Sequence, residues 1–351
     1  MIKLFNFFII TLFLFTFSYL LIEKIFYLDS SGYRGKIKKN YNGTYFKNLE
    51  PIHKNNFLFF LNARFFSNTW HDWPKEITNK VFVSEKSILK VAEPIKFTWI
   101  GHSSVLIQLD NLNILTDPIW SQRCSPFSWI GPKRVSSPGL KIKDLPKIDL
   151  VLISHNHYDH MDIPTLKKLQ EKFNMPILVG LGNRQYLEKQ RLKKIREFDW
   201  WESYFLKGKK ITFVPAQHFS SRGLFDRMKT LWGGFIIERK NDSIYFAGDT
   251  GYGKFFKSIK EKFKPISIAF LPIGAYKPKF FMSPVHLSPE DAVRAYIDLE
   301  ANQAVGIHFE TFRLSAEKIE APKKDLIKSL NKKKIDLTDF IIPQRGIFYK
   351  N

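Results

Sequence analysis

The stretch Asp149-Leu150-Val151-Leu152-Ile153-Ser154-His155-Asn156-His157-Tyr158-Asp159-His160 decides how this chain is read. Its aliphatic, partly β-branched first half predicts a buried strand, which places the polar second half on the loop at that strand's C-terminal end. His155, His157, Asp159 and His160 form the pattern HxHxDH. Imidazole and carboxylate are the usual protein ligands of zinc, and so many polar groups in so short a span cannot all be buried without partners. A cation is the simplest partner. The bland alternative is a polar turn with scattered histidines, which would suit a lone HxH better than two interleaved ligand pairs.

Three further positions share this placement at the end of a strand-like run. His218 follows Ile211-Thr212-Phe213-Val214-Pro215-Ala216-Gln217, Asp249 follows Ile244-Tyr245-Phe246-Ala247-Gly248, and His308 follows Ala304-Val305-Gly306-Ile307. Singly, each has an ordinary reading, since a strand-end histidine is often a satisfied core residue and an Asp before Thr-Gly commonly forms a turn. Together with HxHxDH they make seven nitrogen and oxygen ligands, enough for two adjacent metals if one carboxylate bridges. Gly248 would let the backbone approach closely at Asp249.

Outward from these motifs, the regular pattern begins at Ile95. Strands are expected at Lys96–Ile100, Val105–Leu109, Leu112–Thr116, Leu150–Ile153, Ile177–Val179, Ile211–Val214, Gly234–Glu238, Ser243–Ala247 and Ile268–Leu271. Helices are expected at Pro164–Phe173, Arg184–Gln190, Pro289–Leu299 and Ala316–Leu330. Ser288, Pro289 and Asp291 form a capping box with Pro at the first helical position. Residues 95–351 thus read as one unit of strands covered by helices. Residues 28–94 read as a basic, aromatic extension packed on it, with the clusters Phe57-Leu58-Phe59-Phe60 and Trp70-His71-Asp72-Trp73-Pro74.

With 351 residues and 44% apolar content, the chain has ample material for a core. Residues 1–27 stand apart. Leu4 to Ile22 carry no charge, enough to cross about 30 Å of hydrocarbon as a helix, so this segment reads as a transmembrane anchor or signal sequence. No small-residue cleavage site follows, which favours an uncleaved anchor. It would associate the protein with a membrane, the side being left open: positive-inside bias argues for the cytoplasm, the shortness of the N-terminal anchor for export. Cys124 is the only cysteine, excluding both a disulfide framework and a lipoprotein attachment site after the segment. The net charge of +22 would suit phospholipid headgroups, although a general excess of lysine explains it equally well.

HxHxDH, His218, the GDTG segment Gly248–Gly251 and His308 together resemble the metallo-β-lactamase superfamily. The segments LTDPIWSQRCSP (Leu115–Pro126), IGPKR (Ile130–Arg134), LISHNHYDHMD (Leu152–Asp162), DWWE (Asp199–Glu202), LWGG (Leu231–Gly234), FAGDTGY (Phe246–Tyr252), PIGAY (Pro272–Tyr276) and HLSPEDAVR (His286–Arg294) are similar to its N-acyl-phosphatidylethanolamine-hydrolysing phospholipase D branch. The resemblance runs from roughly residue 40 to the C-terminus.

It implies an αββα sandwich of α/β (α+β) class with a dinuclear zinc site at one edge of the two packed sheets. His155, His157 and His218 would hold one Zn2+, Asp159, His160 and His308 the other, and Asp249 would bridge them. Asp159 and His286 are the implied catalytic residues, with His286 orienting substrate or transferring a proton. The implied activity is zinc-dependent phosphodiester hydrolysis through a metal-bridging hydroxide, turning N-acyl-phosphatidylethanolamine-like phospholipids into N-acylethanolamine and phosphatidic acid. Partners would be the phospholipid substrate and a membrane surface, with a homodimer left open and no nucleic acid. Phe280-Phe281-Met282 and Trp129-Ile130 could line an apolar approach. Phe219 and Phe309 depart from the family's usual Trp, as does Glu310 from a small residue and Met282-Ser283-Pro284-Val285 from the usual approach to the orienting histidine. The alternative is another hydrolase on the same scaffold, a lactonase or nuclease, because metal ligands alone do not name a bond.

Overall fold

The computed structural model describes residues 2–28, 32–51, 72–77, 85–87, 94–223 and 225–350. One sheet contains β1 (Glu85–Ser87), β2 (Ile95–Gly101), β3 (Ser104–Leu109), β4 (Leu112–Thr116), β5 (Leu150–Leu152), β6 (Ile177–Gly180), β7 (Ile195–Phe198) and β15 (Phe348–Lys350), in the order β1-β15-β2-β3-β4-β5-β6-β7. The other contains β8 (Ser203–Leu206), β9 (Lys209–Val214), β10 (Gly234–Glu238), β11 (Ser243–Phe246), β12 (Ile266–Pro272), β13 (Gln303–Ile307) and β14 (Phe340–Ile341), ordered β14-β13-β12-β11-β10-β9-β8.

Strand side chains alternate between two faces, and here the alternation feeds two separate cores. On β3, Val105, Ile107 and Leu109 enter one apolar cluster and Leu106 the other; on β5, Leu150 and Leu152 enter the first and Val151 the second. The first cluster joins the sheets face to face: Phe97 on β2 meets Phe270 on β12 edge-on, with centroids 5.2 Å apart. The second cluster lies under α2 (Ile163–Phe173), through Ile163, Leu166 and Leu169, and α3 (Arg184–Lys189), through Tyr186 and Leu187. Each such side chain contributes roughly 1.5–3 kcal/mol when fully buried.

The second sheet is covered by α4 (Phe255–Lys262), α6 (Pro289–Leu299) and α7 (Ala321–Lys333); α6 touches α4, α7 and β12. A short α5 (Lys279–Met282) precedes α6. The architecture is therefore the expected helix–sheet–sheet–helix sandwich. The α6 cap forms as its sequence dictates, Ser288 Oγ accepting the Asp291 N–H at 3.2 Å with Pro289 following.

Three expectations need revision. First, α7 begins at Ala321 rather than Ala316. The Glu317 carboxylate turns inward to accept the backbone N–H groups of Ala275, at 2.6 Å, and Lys277, at 3.1 Å, and this holds its segment out of the helix. Second, β1, β7, β8, β14 and β15 form where no strand was expected, each being only two to four residues long, and the short α4 and α5 form where no helix was expected. Third, Ile2–Leu28 does form one helix, α1, of 27 residues, but a membrane-crossing segment is unsupported. Among the described residues no helix is long and apolar enough to cross a membrane.

Residues 32–51 lie on the main domain. Tyr41 and Phe46 are buried in the first cluster with rings 4.8 Å apart, and Lys38 pairs with Asp199 at 2.8 Å. The clusters at Phe57–Phe60 and Trp70-His71 fall outside the described residues; Trp73 is described, and its Nε1–H donates to Glu317 O at 2.9 Å.

Candidate metal centre

β2 is antiparallel to β3, β3 to β4, and β4 is parallel to β5, so β2 and β5 point the same way. By the same reasoning β9, β11 and β13 share one direction, since β10 is antiparallel to both β9 and β11 while β12 runs parallel to β11 and β13. Every one of these strands releases a site residue just past its C-terminal end: His102 after β2, His155 to His160 after β5, His218 after β9, Asp249 after β11 and His308 after β13. Of nine histidines in the sequence, His53 and His71 lie outside the described residues, and all the other seven meet here. Chance placement does not account for that.

Backbone geometry shows how tightly the loops are drawn together. His102, Asp117 and His308 have φ of 54°, 33° and 62°, a left-handed region that non-glycine residues adopt uncommonly and that a tight local structure must hold. Gly248 has φ 62°, and a Cβ there would collide with the Cβ of Ser154. Glycine is what lets the Asp249 turn touch the histidine-rich loop.

Two groups of donor atoms result. In one, His155 Nε2 lies 2.8 Å from His157 Nδ1, which lies 3.3 Å from His218 Nε2. In the other, Asp159 Oδ2 lies 2.8 Å from His102 Nε2, 3.2 Å from His160 Nε2 and 3.4 Å from His308 Nε2. Asp249 Oδ2 faces both groups: it is 3.1 Å from His308 Nε2, 3.3 Å from His160 Nε2 and 3.9 Å from His218 Nε2. His286 Nδ1 stands 3.8 Å from the same oxygen.

Neighbouring bonds fix the ring tautomers. His218 Nδ1 donates to Val285 O at 2.8 Å, which leaves Nε2 with its lone pair toward the site. His160 Nδ1 donates to Asp117 Oδ2 at 2.7 Å, with the same result. Asp117 is fully buried and also accepts the Ser154 N–H at 2.7 Å and Ser154 Oγ–H at 2.6 Å. Ser154 Oγ can then accept from His155 Nδ1, 2.9 Å away. One carboxylate thus orients a histidine in each group, the arrangement by which outer partners tune metal ligands.

Burial lowers His102 and His157 to about 3 and His286 to about 4, and depresses His155 and His218 as well. Burial also acts to lower His308, but Asp249 and Asp159 overcome it and raise the ring to about 9; His160 is raised for the same reason. Conversely, burial would raise Asp159 and Asp249, yet the imidazoles hold both well below the usual carboxylate range.

The donor set fits a cation. His160 Nε2, His308 Nε2, His286 Nδ1 and Asp249 Oδ1 are buried without a hydrogen-bond partner, and each such group costs about 1–3 kcal/mol if left unmade. Four at one point imply a shared partner. Imidazole and carboxylate donors in combination suit zinc, and also iron or manganese; a bound cation would displace the protons that His160 and His308 hold against the carboxylates.

The structure brings together all seven expected ligand residues and His286. It adds His102 and Asp117, which the sequence reading passed over. His102 carried a usable signal, its position just past a strand, whereas Asp117 was visible only as part of the LTDP segment. Phe309 packs flat on Trp99 at 4.5 Å and is buried, while Phe219 meets His157 edge-on at 4.6 Å. Of the two, Phe219 touches a candidate ligand. Glu310 pairs with Lys323 at 2.6 Å and Arg345 at 3.5 Å. Of the residues expected to line an apolar approach, Trp129, Ile130 and Phe280 expose apolar surface, whereas Met282 is buried.

The profile of the β-lactamase superfamily domain matches residues 112–309, more than half of the chain. N-acyl-phosphatidylethanolamine-hydrolyzing phospholipase D 1 of Caenorhabditis elegans is 37% identical over 254 residues, which cover 69% of this chain and 71% of that one. The mitochondrial N-acyl-phosphatidylethanolamine-hydrolyzing phospholipase D of Saccharomyces cerevisiae is 37% identical over 66% of this chain and 51% of its own length, so the match spans about half of the yeast protein. The solved isothiocyanate hydrolase from Delia radicum gut bacteria shares the fold at a TM-score of 0.59 and 22% identity, covering 72% of this chain and 98% of that one. With these likenesses added to the His/Asp centre, the chain belongs to the β-lactamase superfamily, as a metallo-hydrolase related to the N-acyl-phosphatidylethanolamine-hydrolysing phospholipases D.

Proposed function

We propose that this protein is a phosphodiesterase of the phospholipase D type, hydrolysing N-acyl-phosphatidylethanolamine-like lipids to phosphatidic acid and N-acylethanolamine with two bound zinc ions. The observation that carries the reading is Asp249 Oδ2, placed to face two separate groups of histidine donors in a chain 37% identical to the worm phospholipase. His155, His157 and His218 would hold one ion, Asp159, His160 and His308 the other, with Asp249 shared between them.

When bound, such a metal pair supplies charge neutralisation at a phosphoryl group and a water acidified toward neutral pH. The protein's own residues do the rest. Asp117 fixes the tautomers of His160 and, through Ser154, of His155. His286 is buried and presents Nδ1 toward Asp249, 3.8 Å away, a placement suited to orienting a phosphate oxygen of the substrate. The leaving group departs as an alcohol, so the P–O bond that breaks is replaced by one from water.

Exposed Trp129, Ile130 and Phe280 would admit acyl chains. Phe7, Phe8, Phe13 and Phe15 on α1 are exposed as well, and a helix apolar on every side is suited to lipid rather than water. We take α1 as the segment that associates the enzyme with a membrane surface, residues 28–94 as an extension and residues 95–351 as the hydrolase domain.

The test is to purify the protein with its metals, quantify them, and offer N-acyl-phosphatidylethanolamine, plain phosphatidylethanolamine, a homoserine lactone and single-stranded DNA. N-acylethanolamine release with about two metals per chain is expected. Lactone or DNA cleavage without phospholipid cleavage would overturn the substrate assignment.

A further inference from the structure

We propose that Asn48, in the N-terminal extension, is a positioning residue for the metal centre through the backbone of His218. The Asn48 amide makes a two-way clasp: Oδ1 accepts the His218 N–H at 2.9 Å, and Nδ2 donates to His218 O at 2.7 Å. Oδ1 also accepts the Trp232 Nε1–H at 3.1 Å, which ties the clasp to a buried indole.

Two residues on, the contact repeats. Gln217 Nε2 donates to Glu50 O at 2.7 Å, and the Glu50 carboxylate accepts the Lys254 N–H at 2.8 Å. The Gln217 carbonyl in turn accepts the Gly251 N–H at 2.8 Å, beside the Asp249 turn. Residues 48–50 therefore lie along the two loops that carry His218 and Asp249, pinning them to each other. His218 sits past the end of β9 with no ladder partner of its own, so its main-chain N–H and C=O depend on this amide.

Asn48 lies outside the segment matched by the superfamily profile, residues 112–309. Because a histidine ligand must be placed to within a fraction of an ångström, losing the clasp weakens metal binding rather than merely loosening the extension.

The inference rests on the reading of His218 as a ligand, and the experiment separates the two. Zinc affinity is measured by chelator competition in the full-length wild type, N48A, N48D and N40A, along with Tm of the metal-free forms. Asn40 anchors the same extension at a distance from His218, donating to Asp199 Oδ1 at 2.7 Å. N48A should lose about 10–100-fold in zinc affinity. N48D, which keeps the acceptor and loses the donor, should fall between N48A and wild type. N40A should lower metal-free Tm while leaving zinc affinity unchanged. Wild-type affinity in N48A, or an equal loss in N40A, would overturn the inference. If N48A fails to fold, wild-type affinity in the near-isosteric N48D overturns it instead. Wild-type protein that binds no zinc would refute the ligand reading itself.

Discussion

Replacing Asp117 with Asn removes a charge and almost no volume, and its consequences can be worked out atom by atom. Asp117 accepts three hydrogen bonds from fully buried groups: Ser154 N–H, Ser154 Oγ–H and His160 Nδ1–H. An amide keeps one acceptor for Ser154 N–H, but its NH2 then faces Ser154 Oγ and His160 Nδ1. To avoid donor against donor, His160 must move its proton to Nε2, the atom 3.2–3.3 Å from Asp159 and Asp249. Ser154 Oγ must also turn, which disturbs the bond to His155 Nδ1. One substitution would thus cost each donor group a lone pair. The expected loss is about 10–100-fold in metal affinity. Stability of the metal-free protein should fall by only about 1–3 kcal/mol, the cost of one mismatched buried donor. Chelator competition reads the first quantity and urea unfolding of the apoprotein the second. D117N with wild-type metal affinity would refute the argument that tautomer control runs through Asp117. A loss of stability with no loss of affinity would do the same.

Other perturbations reach other parts of the molecule. Gly248→Ala places a methyl group against Ser154 at a φ of 62°, so it should destabilise the fold by more than about 1 kcal/mol and reduce metal content, measured by thermal melting and elemental analysis. The Lys38–Asp199 hydrogen bond raises the Lys38 pKa above its ordinary 10.5. Its contribution is therefore complete below pH 10.5 and lost as pH rises through the folded value; with Lys38 about one-third exposed, it is worth under about 1 kcal/mol. The Tm difference between wild type and K38M should be constant from pH 7 to 10 and close above that; a difference that grows with pH would contradict the assignment. Deleting residues 1–27 should reduce turnover on phospholipid vesicles much more than on micellar substrate, whereas equal loss on both would show that α1 has no role in reaching lipid.

How much of this could be read in advance depended on whether a feature is local in the chain. HxHxDH is legible because its residues share one loop, and His218, Asp249 and His308 because each ends a conspicuous apolar strand. Asp117 was opaque for the opposite reason. Its role is created by Ser154 and His160, some forty residues away in the sequence, and an Asp before Pro looks like any turn. Similarly, Glu317 turns inward to cap the loop at Ala275 and Lys277, so a segment with helical composition stays irregular until Ala321. Edge strands such as β8 have little burial to mark them. Asn48 had no signal at all, since its value lies wholly in the backbone it meets.

The strand directions that collect the site at one edge also divide it between the two sheets. His102 and the residues from His155 to His160 belong to one sheet, while His218, Asp249 and His308 belong to the other. Neither half-sandwich owns a complete set of the candidate ligands, so metal binding at them would be thermodynamically linked to sheet docking. A metal present at 1,000 times its Kd would add about 4.1 kcal/mol to the docked state. Such an ion works as a rivet through the sandwich, and its removal should loosen the seam between the layers before it melts either one.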